Sequence, residues 1–295
     1  MTASTPSHDE SCPGPGDRSL HGVGLDSTAQ LMGRIASRLG SRLGLVALDG
    51  TRRPDPPALV LVARGGRDPR AFATARALAE RVRELRPRLP VHLCRLGPTA
   101  PPEPPGTGPA VLVPLLLGRG HHTGRVLPDR VAASLPGTLV AAPLGPHPLL
   151  VEALYARLVE AGWPTAMSDA RRRASAVVLA AAGSRDPDAA ADTRRTALLL
   201  AERLGVPVVP AHARRAAPTV AAAVRSLGAR GHHRIAVAPY LMAPGRLATE
   251  CAAAAPWITA APLGAHAAVA RLVLHRYDEA LATPGPPATH ALATA

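Results

Sequence analysis

The chain has 295 residues, 47% of them hydrophobic, and a formal charge of +13 in which every Lys/Arg-type cation is an arginine; this is a globular composition with room for two domains. No apolar run reaches the length of a membrane span, no basic-then-apolar leader opens the chain, and Cys12, Cys94 and Cys251 form neither a disulfide framework nor a CxxC metal site, so a cytoplasmic location is expected. Aromatics are only 2% and no basic helix or finger motif occurs, which argues against nucleic acid; the arginine excess largely follows GC-rich codon usage but suits an anionic small molecule.

Residues 1–56 form the first segment. Up to about Asp26 it is rich in Ser, Pro, Gly and His and reads as disordered. In Ser27–Leu43, Leu31, Ile35, Leu39 and Leu43 recur every four residues beside Arg34, Arg38 and Arg42, which predicts a short basic amphipathic helix. Packing on its own domain or a second subunit is favoured for this helix over an anionic membrane surface. Thr51–Pro57 is a linker.

A first domain, 57–165, opens with the strand Ala58–Ala63, whose continuous apolar run predicts burial on both faces, as in a parallel sheet. A helix Arg70–Arg86, strands Pro90–Leu96 and Ala110–Leu116, a short helix Pro128–Ser134, a strand Thr138–Ala142 and a helix Pro148–Ala161 follow. Gly97–Gly108 is Pro-rich and predicts no helix. Gly162–Ser175 reads as a polar linker. A second domain, 174–282, repeats the plan: strand Ala176–Ala181, helix Asp188–Leu204, strand Pro207–Pro210, helix Thr219–Leu227, strand Arg234–Pro239, helix Arg246–Ala254, strand Ile258–Ala261 and a helix from about Ala265 to Ala282. Residues 283–295 are a tail.

The two halves repeat landmark by landmark. Arg67-Asp68-Pro69 returns as Arg185-Asp186-Pro187, the Pro114–Gly120 stretch as Pro239–Gly245, and Ala142-Pro143-Leu144-Gly145 as Ala261-Pro262-Leu263-Gly264. Ordered landmarks at nearly one offset indicate tandem duplication, with a period too long for a solenoid. The fold class predicted is α/β: two duplicated domains, each an open, mostly parallel sheet flanked by helices. Ligands of such sheets bind beyond the carboxyl ends of the strands. That rule brings Arg64–Arg67, Gly118–Arg125, Gly183–Arg185 and Pro244–Arg246 to one cleft.

Within that cleft His121 and His122, between glycines after a buried strand, are the candidate metal ligands and proton acceptors. Exposed loop histidines without a function are the competing reading. His232 and His233 precede their strand, at the opposite end of the sheet, and are expected on the surface. His147 and His266 stand at helix starts, where capping is favoured; His92 and His212 are expected to pack in or beside second strands. Asp68 and Asp186 read as helix N-caps. The chain has no GxxxxGK[ST], GxGxxG or GxSxG, so phosphoryl transfer, dinucleotide binding and serine hydrolysis lack their signals.

Taken jointly, LVLVARGGRDPRAFATARALAERV, VLVPLLLGRGHH, LPDRVA, VAAPLGPHPLLVEALYARLVEAG, VVLAAAGSRDP and IAVAPYLMAPGR resemble the sirohydrochlorin chelatase family, from about Pro57 to Ala282. The resemblance implies a chelatase-type fold and insertion of Co²⁺ or Fe²⁺, as substrate, into an anionic polycarboxylate tetrapyrrole of cobalamin or sirohaem biosynthesis, with no organic cofactor. The family's first strand ends in His-Gly-Ser-Arg, whose histidine serves the metal; here Arg64 and Gly66 stand at the His and Ser positions. The family's Gly-Tyr-His-x-x-x-Asp-Ile-Pro stretch reads here with His121 for the tyrosine, His122 retained and Val126 for the aspartate, and a family acidic residue falls at Gly97. In the second copy Ala182 and Leu247 occupy the two histidine positions. The implied roles are His122 and His121 at the metal, with Arg64, Arg67, Arg119 and Arg125 as carboxylate contacts. A non-catalytic paralogue that binds tetrapyrrole or metal, or partners an active chelatase, is the alternative; a duplicated binding protein for another anion is a third reading.

Overall fold

The structure, a computed structural model, describes residues 56–64, 68–96, 108–119, 127, 137–214 and 217–283. The expected N-terminal helix, most of the Pro-rich stretch, the short helix after Leu127 and the tail after Thr283 lie outside the described residues.

Two four-stranded parallel sheets carry the fold. The first comprises β1 (Ala58–Arg64), β2 (Val91–Leu96), β3 (Ala110–Pro114) and β4 (Leu139–Val140) in the order β2-β1-β3-β4. The second comprises β5 (Ser175–Ala181), β6 (Val208–His212), β7 (Arg234–Tyr240) and β8 (Ile258–Thr259) in the order β6-β5-β7-β8. The same order twice is the duplication read from the sequence. Helices α1 (Pro69–Leu85), α2 (Pro148–Glu160), α3 (Asp169–Ala174), α4 (Pro187–Leu204), α5 (Val220–Ala229), α6 (Arg246–Ala253) and α7 (Ala267–Ala282) flank the sheets.

Helix starts follow local chemistry. Asp68 accepts the backbone N–H of Arg70, with Pro69 in the first turn, and Asp186 accepts that of Asp188, ahead of α4. His147 and His266 cap α2 and α7 in the same manner, each Nδ1 accepting a backbone N–H at 3.1 Å, from Leu149 and Ala268. Gly205, at φ 65°, ends α4 in the left-handed conformation that L side chains avoid. Gly162–Ser175 is not a plain linker. Ser168 caps α3 inside it, and Ser175 is the fully buried first residue of β5, its hydroxyl donating to the Arg171 carbonyl.

Strand periodicity sorts the side chains into layers. Leu59, Leu61 and Ala63 of β1, with Val177, Leu179 and Ala181 of β5, face one central core shared by both repeats. Their alternates, Val60 and Val62 or Ala176, Val178 and Ala180, face separate outer clusters. The repeats are therefore interleaved rather than merely adjacent. The last helix of each repeat bonds the other repeat's Ala-Pro-Leu-Gly turn: Arg157 of α2 donates to the Leu263 carbonyl (3.1 Å), and Arg276 of α7 to the Leu144 carbonyl (3.3 Å). The Tyr277 hydroxyl donates to the Pro57 carbonyl at 2.6 Å, Arg86 pairs with Asp278, and Trp163 lies against Trp257.

Candidate functional site

The carboxyl ends of both sheets open on one cleft of about 520 Å³. Its walls are the end of β1 at Arg64, the exit of β3 (Leu115–Arg119), the exit of β5 (Ala181–Asp186), the end of β6 at His212 and the exit of β7 (Tyr240–Met242). Both repeats thus contribute, as the strand-end rule requires. Leu115, Ala181, Tyr240 and Leu241 are buried and make the floor apolar, while Arg64, Arg119 and Arg185 are exposed and charge the rim.

The β3 exit is held to the second repeat by a buried carboxylate. Asp192 of α4 is 2% exposed. It accepts the Arg119 backbone N–H at 2.7 Å and the Arg119 guanidinium at 2.8 Å (Nη2) and 3.2 Å (Nε). A buried carboxylate needs such a set of charged and backbone donors to offset its desolvation. One residue earlier, a Cβ on Gly118 would stand 3.4 Å from Asp192, so the exit runs close against α4. The Leu117 carbonyl accepts the Tyr240 hydroxyl at 2.8 Å, and Thr196 Oγ1 lies 3.3 Å from that hydroxyl oxygen. Burial pushes the Tyr240 hydroxyl far above the usual phenol pKa, so it stays a neutral donor.

Arg119, expected as a carboxylate contact, lines the cleft, and its half-exposed guanidinium pairs with Asp192. Arg64 lies at the rim and has no hydrogen-bond or ion-pair partner among the described residues. His121, His122, Arg67 and Arg125 lie outside the described residues, and among the described residues no group of three or more His, Cys, Asp and Glu could hold a metal ion.

The other histidines divide. His147 and His266 cap, as expected. His233 is exposed, but His232 is half-buried with a buried Nδ1 that lacks a partner, contrary to a surface role. His212, expected to pack at a strand edge, instead lines the cleft and is the one described histidine that does. Burial lowers its pKa, so the ring is neutral at pH 7. Burial also pushes the Cys94 thiol up to about 11, far from the range of a reactive thiolate.

Asp192 escaped the sequence reading, although a signal existed. Asp192, Thr196, Leu200 and Leu204 recur every four residues, so the carboxylate continues the buried stripe of α4.

Both repeats match one family in sequence. The CbiX family model matches twice, over residues 58–161 and 176–280. The chain belongs to the CbiX family. Solved structures share the fold. "SirB from Bacillus subtilis with Fe3+" is 23% identical, with a TM-score of 0.59 over 76% of this chain and 96% of that one. The sirohydrochlorin chelatase SirB of Bacillus subtilis subspecies spizizenii in complex with cobalt is also 23% identical (TM-score 0.58, 77% and 96%). CbiX, described as the terminal enzyme for biosynthesis of siroheme in denitrifying bacteria, gives 23% identity and a TM-score of 0.57 over 76% and 99%. No curated protein matches the chain in sequence. Among the described residues, no helix is long and apolar enough to cross a membrane.

Proposed function

We propose that the chain is a cytoplasmic chelatase that inserts Co²⁺ or Fe²⁺ into a polycarboxylate tetrapyrrole of the sirohydrochlorin type, in the cleft between its repeats, without an organic cofactor. The observation that carries the reading is that cleft: an apolar floor for a macrocycle, an arginine rim for its carboxylates, and walls from both repeats of a CbiX-family fold. The SirB structures, with Fe³⁺ and in complex with cobalt, agree with a metal as the second substrate.

Insertion replaces two pyrrole N–H protons by one divalent cation. A ligand must hand over the metal and a base must take the protons. His122 is assigned both roles, with His121 as auxiliary ligand. Arg64 can do neither, because a guanidinium stays cationic and repels a divalent metal. It joins Arg67 and Arg125 as a carboxylate contact. Arg119, which also links the β3 exit to Asp192, is the remaining carboxylate contact.

One observation favours the second reading, a non-catalytic paralogue that binds tetrapyrrole or metal or partners an active chelatase. Both first-strand histidine positions are lost, to Arg64 and Ala182. The deciding assay is anaerobic absorbance of sirohydrochlorin plus Co²⁺, with wild-type protein, with His122→Ala and without protein. Insertion faster than background and lost in His122→Ala establishes the chelatase. A spectral shift with no added rate establishes the non-catalytic binder. Neither shift nor rate removes the tetrapyrrole reading.

A further inference from the structure

The second repeat has no imidazole at either position matching the family's histidines, yet it builds most of the cleft wall. Most polar side chains on that wall are spent on the fold. Ser184 Oγ accepts the Asp186 N–H, Asp186 caps α4, Thr193 donates to the Ala189 carbonyl, and Tyr240 donates to the Leu117 carbonyl. Two are not. Arg185 makes no hydrogen bond or ion pair with a described residue, although Asp186 and Asp188 are its chain neighbours. His212 has a buried Nδ1 without a partner, and no described residue bonds its Nε2.

These two groups are neighbours by construction. Gly183, at φ 92°, turns the chain immediately after β5. A Cβ there would lie 1.8 Å from the Arg214 carbonyl oxygen and 3.4 Å from the His212 Cβ. The turn that carries Arg185 therefore lies on the end of β6, and the Ala213 N–H donating to the Ala181 carbonyl at 2.8 Å ties the two together. An N–H is harder to leave orphaned in the interior than a lone pair, so the single proton of a neutral His212 ring belongs on Nε2. The ring then presents an N–H donor, and Arg185 presents a charged fork.

We infer that this wall is a carboxylate-binding subsite, with Arg185 as charged anchor and His212 as N–H donor, which grips an acidic side chain of the tetrapyrrole. The inference rests on the tetrapyrrole reading and extends it. The degenerate repeat recognises substrate, and the protein selects macrocycles whose carboxylates run around the whole rim over those with acids on one edge.

The test is metal-free binding by the full chain, followed by porphyrin absorbance and fluorescence. The probes are uroporphyrin, which carries carboxylates all round, and mesoporphyrin, which carries them on one edge. Wild type should bind uroporphyrin more tightly. Arg185→Gln should weaken uroporphyrin binding about tenfold, the worth of one charge-assisted bidentate contact, and mesoporphyrin binding far less. His212→Phe should weaken uroporphyrin several-fold, whereas His212→Gln, whose amide N–H stands in for Nε2, should restore it. Melting of Arg185→Gln should equal wild type, since Arg185 has no described partner in the fold. Wild-type binding unchanged by Arg185→Gln and His212→Phe would overturn the subsite and leave the tetrapyrrole reading standing. A wild-type protein that binds neither probe would overturn both.

Discussion

The Arg119–Asp192 pair makes an asymmetric prediction. Asp192 is 2% exposed, whereas the Arg119 side chain is 56% exposed. Truncation of Arg119 to alanine leaves the buried carboxylate with one retained donor among the described residues, the backbone N–H at 2.7 Å. A buried carboxylate that loses its cationic partner costs about 3 kcal/mol. Truncation of Asp192 to alanine is milder. The guanidinium returns to water and the loss is of the order of hydrogen bonding, about 1 kcal/mol. The double variant should therefore be more stable than Arg119→Ala alone, because removing the stranded carboxylate repairs the damage. Urea unfolding followed by circular dichroism, with slopes held equal, gives the three differences. An Asp192→Ala loss equal to or larger than that of Arg119→Ala, or simple additivity in the double variant, would show that Asp192 is not stranded without Arg119.

Two further outcomes are expected. Burial first, and nearby arginines second, depress the pKa values of His147 and His266 in the folded state, and both rings must be neutral at Nδ1 to cap their helices. A group with a depressed folded pKa contributes stability above its unfolded pKa, about 6.5, which is lost as pH falls through that region. The melting temperature should drop from pH 7 to pH 5, and drop less in His147→Asn/His266→Asn, whose caps do not titrate; an equal drop in both proteins would count against this account. Gly145→Ala should destabilise by about 2 kcal/mol in the same urea assay, because its Cβ would stand 2.4 Å from both the Leu117 carbonyl oxygen and the Tyr240 hydroxyl. An unchanged midpoint would show that the β3 exit yields freely.

Much of the fold is legible in local patterns. The apolar runs of β1 and β5 read directly as strands buried on both faces, and Asp68-Pro69 and Asp186-Pro187 mark their helices because cap chemistry is local. The shared core is less so. Arg157 and Arg276 look like ordinary surface arginines on amphipathic helices; only the pairing of two repeats aims each at the other's turn. The α3 helix was hidden for the opposite reason, since six polar or small residues after Ser168 carry no buried face. At the site, Arg64 follows from the strand-end rule alone. The pairing of Arg119 depends on a contact across more than seventy residues of sequence, and the opening of His212 onto the cleft on the pairing of β6 with β5, neither of which a local pattern encodes.

The proposed function requires tetrapyrrole metallation to take place between the repeats. Ala182 is exposed on the cleft wall, and a tryptophan there would fill the space a macrocycle needs without entering the core. The measurement is the anaerobic rate of Co²⁺ insertion into sirohydrochlorin by wild type and by Ala182→Trp, with melting curves alongside. The wild-type rate should exceed the protein-free background and fall to background in Ala182→Trp while the melting temperature holds. A correctly folded Ala182→Trp protein working at the wild-type rate would contradict it and place the chemistry outside this cleft.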